Sequence, residues 1–200
     1  MVSTIIVASG NPDKAKEIKQ IFGKHGFRIK TLEDFENVPE VIEDGNTLYD
    51  NALKKARMIF DALGAPVLAD DTGLEVDFLG GAPGAYSARY AGEDASYEDN
   101  VEKLLRKLES VEGADRTARF RTVVVYFDGK QDVSAEGSIE GTITTEPRGN
   151  GGFGYDPIFE ALETKQTFSE MTDSAKNAIS HRGRALQNLY LELQQLNILP

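Results

Sequence analysis

The first part of the chain alternates between strand-like and helix-like hydrophobic patterns. Residues 4–8 form a short run rich in β-branched side chains, and a helical pattern follows that Gly23 ends. Residues 27–31 then alternate between apolar and polar side chains, as a strand does. A second helical pattern begins at Thr47 and stops at Gly64. This order of strand, helix, strand and helix predicts an α/β fold.

The next segment predicts an interrupted strand. Residues 67–69 are apolar and lead into Asp70 and Asp71, and the strand pattern resumes over residues 74–78 before a glycine-rich break at residues 80–84. Two adjacent carboxylates at a strand end cannot both face a core without partners. We therefore expect Asp70 and Asp71 to lie at an exposed edge.

Later residues predict a hairpin and a terminal helix. Residues 118–127 form the longest predicted strand, and Asp128-Gly129 favours a turn into further strand over residues 132–145. Asp173 or Ser174 is expected to cap a single terminal helix. The hairpin predicts a mixed sheet rather than a purely parallel one.

Composition narrows the class of protein. Two hundred residues with 40% hydrophobic and 28% charged side chains fit one soluble domain over residues 1–200. The net charge of −11 argues against binding to a nucleic-acid polymer, but it permits a small anionic ligand. The absence of cysteine excludes thiol catalysis, disulfides and cysteine-bound zinc. No segment approaches the ~20 apolar residues of a membrane span, so we expect a cytoplasmic protein.

The loop after the first predicted strand is a candidate phosphate site. Residues 9–14 end in Lys14 and precede a helix, whose first N–H groups and positive dipole end favour an anion. The alternative is an Asx turn with Pro12 at the first helical position, which needs no ligand. The sequence leaves both interpretations open.

Acidic residues supply a candidate metal site. Asp70 and Asp71 are the kind of ligand that Mg²⁺ prefers, and Glu40 or Glu43 in the preceding acidic loop could complete the set. The alternative is an acidic turn before Gly73, which is common in a chain with 33 acidic residues.

Two C-terminal segments suggest recognition of a nucleobase. A glycine-rich run over residues 149–154 contains Phe153, whose ring could stack on a base, and Asp156-Pro157 then restricts the backbone. His181 stands beside Arg182, and both side chains can donate hydrogen bonds. The alternatives are a mobile hairpin loop and a structural histidine within a helix.

Taken together, these segments resemble the Ham1 (RdgB) family of inosine triphosphate pyrophosphatases. The likeness runs over nearly all of the chain and rests on motifs in the family's order: residues 9–14, 47–56, 68–74, 79–90, 153–159, 176–177 and 180–183. The departures are small. Asp13 replaces a common glycine, and we expect its side chain to point away from the phosphates.

The resemblance implies an activity and an architecture. It implies hydrolysis of ITP, dITP and XTP between the α- and β-phosphorus, which releases the monophosphate and pyrophosphate. It also implies a required Mg²⁺ and a homodimer. The implied fold is an elongated mixed β-sheet flanked by helices, in two lobes with a central cleft.

The resemblance also implies residue roles. Asp71 matches the proton acceptor and a metal ligand, and Glu43 is preferred to Glu40 as the second metal ligand. The implied substrate contacts are Ser9, Gly10, Asn11, Pro12, Asp13, Lys14, Thr72, Phe153, Gly154, Tyr155, Asp156, Lys176, His181 and Arg182.

Two other functions are open to the same residues. One is a catalytically silent nucleotide-binding protein, which would lack the metal-binding acids, whereas Asp70 and Asp71 are present. The other is a Maf-like pyrophosphatase for methylated or pyrimidine nucleotides. The segments around Phe153 and His181 argue against it.

Overall fold

The computed structural model describes residues 4–198, and within them the chain forms one mixed β-sheet with flanking helices. The elements in order are β1 (Thr4–Val7), α1 (Pro12–Phe22), β2 (Arg28–Thr31), α2 (Leu48–Leu63), β3 (Val67–Val76), β4 (Pro83–Gly84), α3 (Tyr97–Lys107), β5 (Thr117–Phe127), β6 (Asp132–Ile143), β7 (Phe159–Ala161), α4 (Asp173–Ile179) and α5 (His181–Gln195). The strand order is β2-β1-β3-β5-β6-β7, with β4 paired with β3.

The sheet is mixed, as the hairpin pattern predicts. Strand β1 pairs in parallel with β2 and with β3, whereas β3 pairs with β4 and β6 with β7 in antiparallel register. The α/β fold class is therefore confirmed. None of the helices formed by the described residues is long and apolar enough to cross a membrane.

Capping residues explain where the early helices begin and end. The Asn11 side chain accepts hydrogen bonds from the first turn of α1, and Thr47 does the same for α2. Gly64 ends α2 in the left-handed conformation, at φ 67°. Helix α2 therefore starts and stops where its sequence pattern predicts.

The chain divides into two compact units, each assembled from separate stretches. Unit 1 contains the N-terminal part through Asp71, then Thr122–Gly137 and the segment from His181 onward; unit 2 contains Thr72–Arg121 and Ser138–Ser180. Each unit has its own hydrophobic cluster. Helices α1 and α5 contribute to the first, and α3, β5 and β7 to the second. A single domain over residues 1–200 stays a prediction.

The middle of β3 differs from the sequence prediction. The strand runs without interruption from Val67 to Val76, so Asp70 and Asp71 lie within it and not at its end. Both side chains are buried, at 0% and 4% exposure, so the expected exposed edge is wrong. The physical reason is that both carboxylates have partners in unit 1, which are described below.

The terminal helix and the longest strand also differ. The predicted single helix is two helices, because Ser180 adopts an extended conformation with ψ 156° between them. The first is capped by Thr172 rather than by Asp173 or Ser174. The longest described strand is β6 with 12 residues, whereas β5 has 11.

Gly137 provides a test of how β6 packs against α5. A Cβ atom at Gly137 would lie 2.2 Å from the carbonyl oxygen of His181 and 2.4 Å from the amide nitrogen of Ala185. Backbone atoms cannot rotate aside, so we expect Gly137→Ala to lower the free energy of unfolding by about 2 kcal/mol or more.

The matched control is Gly23→Ala, where the nearest atom would be 3.8 Å away and φ is −62°. Urea unfolding should show this control within about 0.5 kcal/mol of wild type. Equal stabilities of the two variants would contradict the packing.

Candidate functional site

The two acids at the middle of β3 are the centre of the candidate site in unit 1. Successive side chains of a strand point to opposite faces, so adjacent carboxylates meet different neighbours. Asp70 and Asp71 are both buried, and a buried carboxylate needs charged or hydrogen-bonding partners. The partners of the two acids are of different kinds.

Asp70 is held by positive charge. Arg182 donates from Nε to Asp70 Oδ2 at 3.1 Å, and Lys14 Nζ lies 3.7 Å from the same oxygen. Arg182 also donates from Nη1 to Glu17. Burial alone would raise the pKa of Asp70, but Lys14 and Arg182 together hold that pKa far below its usual range. Asp70 is therefore an ionised member of a buried ion-pair network.

Asp71 is held by a neutral amide. Asn51 donates from Nδ2 to Asp71 Oδ2 at 2.9 Å. Burial raises the pKa of the Asp71 carboxyl above its usual value and Glu43 adds to the rise, while Lys14, Lys55 and the Asn51 hydrogen bond act in the opposite direction. Two neighbouring carboxyls of the same type thus have pKa values shifted in opposite directions.

Glu43, rather than Glu40, is coupled to Asp71. Glu43 accepts a hydrogen bond at 2.6 Å from Lys55 Nζ, and its charge acts on Asp71. No described contact joins the exposed Glu40 to Asp71. Of the two loop glutamates, Glu43 is therefore better placed to share a cation with Asp71.

The donor set of unit 1 fits Mg²⁺ in one specific way. The described residues include no cluster of three or more His, Asp and Glu side chains arranged as metal ligands. Mg²⁺ often takes only one or two carboxylates from a protein and completes its shell with waters and substrate phosphates. Asp71 and Glu43 match that pattern.

The first loop forms the Asx cap that the sequence allows. Asn11 Oδ1 accepts from the N–H groups of Asp13 and Lys14 at 3.0 and 3.3 Å, and Pro12 begins the helix. Ser9 Oγ donates to the carbonyl of Asn11 at 3.2 Å. The loop is therefore internally ordered, and Lys14 is the side chain that carries positive charge from it toward Asp70.

A second cluster of predicted site residues lies in unit 2. Asp156 Oδ2 accepts from the Phe153 N–H at 2.8 Å and from Lys176 Nζ at 2.6 Å. Lys176 Nζ also lies 4.5 Å from the centre of the Phe153 ring. A Cβ atom at Gly152 would come within 2.2 Å of Asp156 Oδ2 at a φ of +74°, so glycine is required there. These contacts anchor the glycine-rich loop.

The remaining predicted contacts have less distinctive surroundings. Tyr155 is buried, and burial raises the pKa of its phenol. Its hydroxyl donates to the Ser87 carbonyl at 3.0 Å. The preceding residue, Gly154, has a φ of +60°. Thr72 follows Asp71 in β3 and begins unit 2. His181 and Arg182 are both buried, and they belong to unit 1 rather than to the cluster around Phe153.

Three residues of the unit 1 site were not predicted as site residues. Asn51 and Lys55 occupy the buried stripe of α2, whose members are Leu48, Asn51, Ala52, Lys55, Ala56 and Ile59. Polar side chains at apolar stripe positions are a signal that the sequence does contain. Glu17 has the same property, since it lies between the buried Ala15 and Ile18 of α1.

Tyr97 is a further unpredicted neighbour of Phe153. Its ring centre is 6.0 Å from that of Phe153, with an interplanar angle of 42°. It is the first residue of α3, and nothing in the local sequence connects it with a loop 56 positions later.

The ion-pair network makes a prediction for Asp70. Removing one partner of a buried ion pair leaves the other charge uncompensated, so Asp70→Asn should lower the free energy of unfolding by about 3 kcal/mol. Because the pKa of Asp70 is lowered in the folded state, its contribution is complete above the ordinary value of 3.8 and is lost only as pH falls below it.

Urea unfolding should therefore show the same Asp70→Asn deficit at every pH from about 5 to 8. The exposed Asp61→Asn serves as the control and should stay within about 0.5 kcal/mol of wild type. A deficit that changes across this range would contradict an ionised Asp70.

Comparison with known proteins gives a consistent family. The Ham1 family matches residues 5–191. A dITP/XTP pyrophosphatase of Geobacter sulfurreducens is 50% identical over 186 residues, covering 92% of this chain and 94% of the relative. The dITP/XTP pyrophosphatase of Bacillus licheniformis is 46% identical over 192 residues, covering 96% and 98%.

Solved structures support the same family. A HAM1 protein from Coxiella burnetii superimposes with a TM-score of 0.86 at 38% identity, covering 98% of this chain and all of that one. The Ham1 protein of Staphylococcus aureus gives a TM-score of 0.83 at 37% identity, covering 96% and 99%. With the acids, lysines and aromatic loop at the motif positions, this chain belongs to the Ham1 family.

Proposed function

We propose that this protein hydrolyses the noncanonical purine nucleoside triphosphates ITP, dITP and XTP to the monophosphate and pyrophosphate. The observation that carries the proposal is Asp71, a buried acid with a raised pKa, in a site that also holds Glu43 and two lysines. The relatives named dITP/XTP pyrophosphatases support the substrate class.

The residues of unit 1 handle the phosphate chain in this proposal. Lys14 and Lys55 both act electrostatically on Asp71, so the phosphates of a substrate would meet positive charge there despite the overall charge of −11. The two lysines stabilise the charge that develops on the leaving pyrophosphate. Asp71 orients the attacking water and accepts its proton.

Asp71 and Glu43 would hold Mg²⁺ in the same proposal. A bound Mg²⁺ supplies positive charge that offsets the charge on the phosphate oxygens. The hydrogen bond that Lys55 donates to Glu43 keeps that glutamate ordered. Asn51 fixes the carboxylate of Asp71 without neutralising it.

The cluster of unit 2 binds the base. Phe153 offers a ring for stacking, and the Lys176 ammonium lies over the ring while Asp156 holds both residues. This grouping supports a role for Lys176 at the base rather than at the phosphates. Tyr97 contacts the same ring and supports its orientation.

For His181 and Arg182 of unit 1 we propose recognition of a 6-oxo group. Adenine presents an amino group at that position, so protein donors would be left without acceptors. A mismatch of this kind costs about 1–3 kcal/mol for each buried group, which is about tenfold to a hundredfold in selectivity. The two bonds of Arg182 to Asp70 and Glu17 would hold its guanidinium rigidly for this task.

Assembly and location are part of the same proposal. The relationship to the Ham1 family leads us to propose a homodimer, and the exposed Phe78 and Tyr86 of unit 2 are apolar groups that such an interface would cover. We also propose a cytoplasmic location, where the protein would clear the nucleotide pool.

The activity can be tested with purified protein and Mg²⁺ on a panel of nucleotides. Pyrophosphate release from dITP and XTP should be at least about tenfold faster than from dATP, because the donors fit a 6-oxo group. The panel also includes dGTP and methylated and pyrimidine nucleotides. Orthophosphate as the first product, or a preference for methylated or pyrimidine nucleotides, would show that the proposal is wrong.

The catalytic role of Asp71 has its own test. Asp71→Asn removes the proton acceptor and a metal-binding charge, so kcat for dITP should fall by at least about a hundredfold. The matched control is Asp44→Asn in the preceding loop, where an exposed carboxylate pairs with Lys54. Circular dichroism should show both variants folded, and appreciable activity in Asp71→Asn would refute the assignment.

A further inference from the structure

One side chain in unit 1 is bonded to both parts of the proposed metal site. Asn51 is 1% exposed. Its Oδ1 accepts from the backbone N–H of Gly45 at 2.7 Å, and its Nδ2 donates to Asp71 Oδ2 at 2.9 Å. An amide oxygen can only accept and an amide NH₂ only donate, so these two partners fix the orientation of the side chain.

The Gly45 contact concerns a loop that has no regular structure of its own. Residues 38–45 contain no helix or strand, and Glu43 lies two positions before Gly45. A Cβ atom at Gly45 would lie 2.7 Å from Asn51 Oδ1 and 3.1 Å from the backbone nitrogen of Asn51. The close approach of the loop to Asn51 therefore requires glycine at position 45.

A second bond fixes the same loop one helical turn later. Lys55 follows Asn51 by four residues on α2, and its Nζ donates to Glu43 Oε1 at 2.6 Å. Residues four apart lie on one face of a helix. Helix α2 thus holds the loop at Glu43 and at Gly45, and its Asn51 also donates to Asp71.

We infer that Asn51 is a positioning residue that holds the Glu43 loop and the Asp71 carboxylate in register for one cation. The inference rests on the proposed function in that Mg²⁺ is the cation. A charged residue at position 51 would repel or neutralise Asp71, and an apolar one would hold neither partner. A neutral amide satisfies both.

The main test compares Asn51→Ala with wild type. Loss of both bonds should raise the Mg²⁺ concentration for half-maximal dITP hydrolysis about tenfold, because groups that orient metal ligands typically contribute that much. At saturating Mg²⁺, kcat should recover to a larger degree than in Asp71→Asn. The Gly45 amide should exchange with deuterium at least about tenfold faster, since it loses its acceptor.

Two further variants separate positioning from folding. Asn51→Asp keeps the shape and the acceptor for Gly45 but places a carboxylate against Asp71, so Gly45 should stay protected while the Mg²⁺ response changes. Tyr49→Phe is the matched control, since Tyr49 lies on the same helix and donates to Asp132 rather than to the site. It should match wild type in both measurements.

The outcomes distinguish this inference from the proposed function. If wild type releases no pyrophosphate from dITP, the proposed function fails, and the Mg²⁺ response is instead read from shifts of the Gly45 amide signal during titration with Mg²⁺ alone. Unchanged Gly45 exchange in Asn51→Ala would overturn the inference even in an active enzyme. Faster exchange with an unchanged Mg²⁺ response would overturn it too, because the bond would then be structural only.

Discussion

The burial of Asp70 is the constraint on which the rest of unit 1 depends. A fully buried carboxylate needs charged or hydrogen-bonding partners, and here Arg182 and Lys14 supply positive charge. Glu17 balances the second positive charge through its bond to Arg182. The charges of two acids and two bases therefore balance. Their contacts connect β3 to α1 and α5.

That network places lysine ammonium groups beside the acids of β3 in a strongly acidic protein. The overall charge of −11 would repel a triphosphate, but Lys14 and Lys55 both act on the acids of β3. Asp70 attracts the Lys14 ammonium toward the strand, and this attraction fixes the position of the lysine side chain. Local arrangement, and not net charge, therefore decides which ligand the site accepts.

Local signals in the sequence predicted much of the fold. Features that depend on pairing between distant residues were not predicted. Helix α2 was predictable because Thr47, Gly64 and an apolar stripe all lie within one segment. The burial of Asp70 was not, because its partner Arg182 lies 112 residues away. The break at Ser180 was also missed, since the apolar pattern continues across it and only the backbone conformation separates α4 from α5. The candidate site residues were predicted through motif resemblance. Asn51 and Lys55 were not predicted as site residues, although both are polar side chains in the buried stripe of α2.

The contrast between the two neighbouring acids bears on which of them does the chemistry. Cations surround Asp70 and lower its pKa, so it has little affinity for a proton and serves the structure. Asp71 has the same side chain one residue later, but burial raises its pKa and the neutral amide of Asn51 donates a hydrogen bond to it. A general base must be ionised yet able to accept a proton, and the acid with the raised pKa meets that condition better. Lys14 and Lys55 act on both acids, so the difference comes from Arg182, which pairs directly with Asp70, and from the neutral amide that faces Asp71.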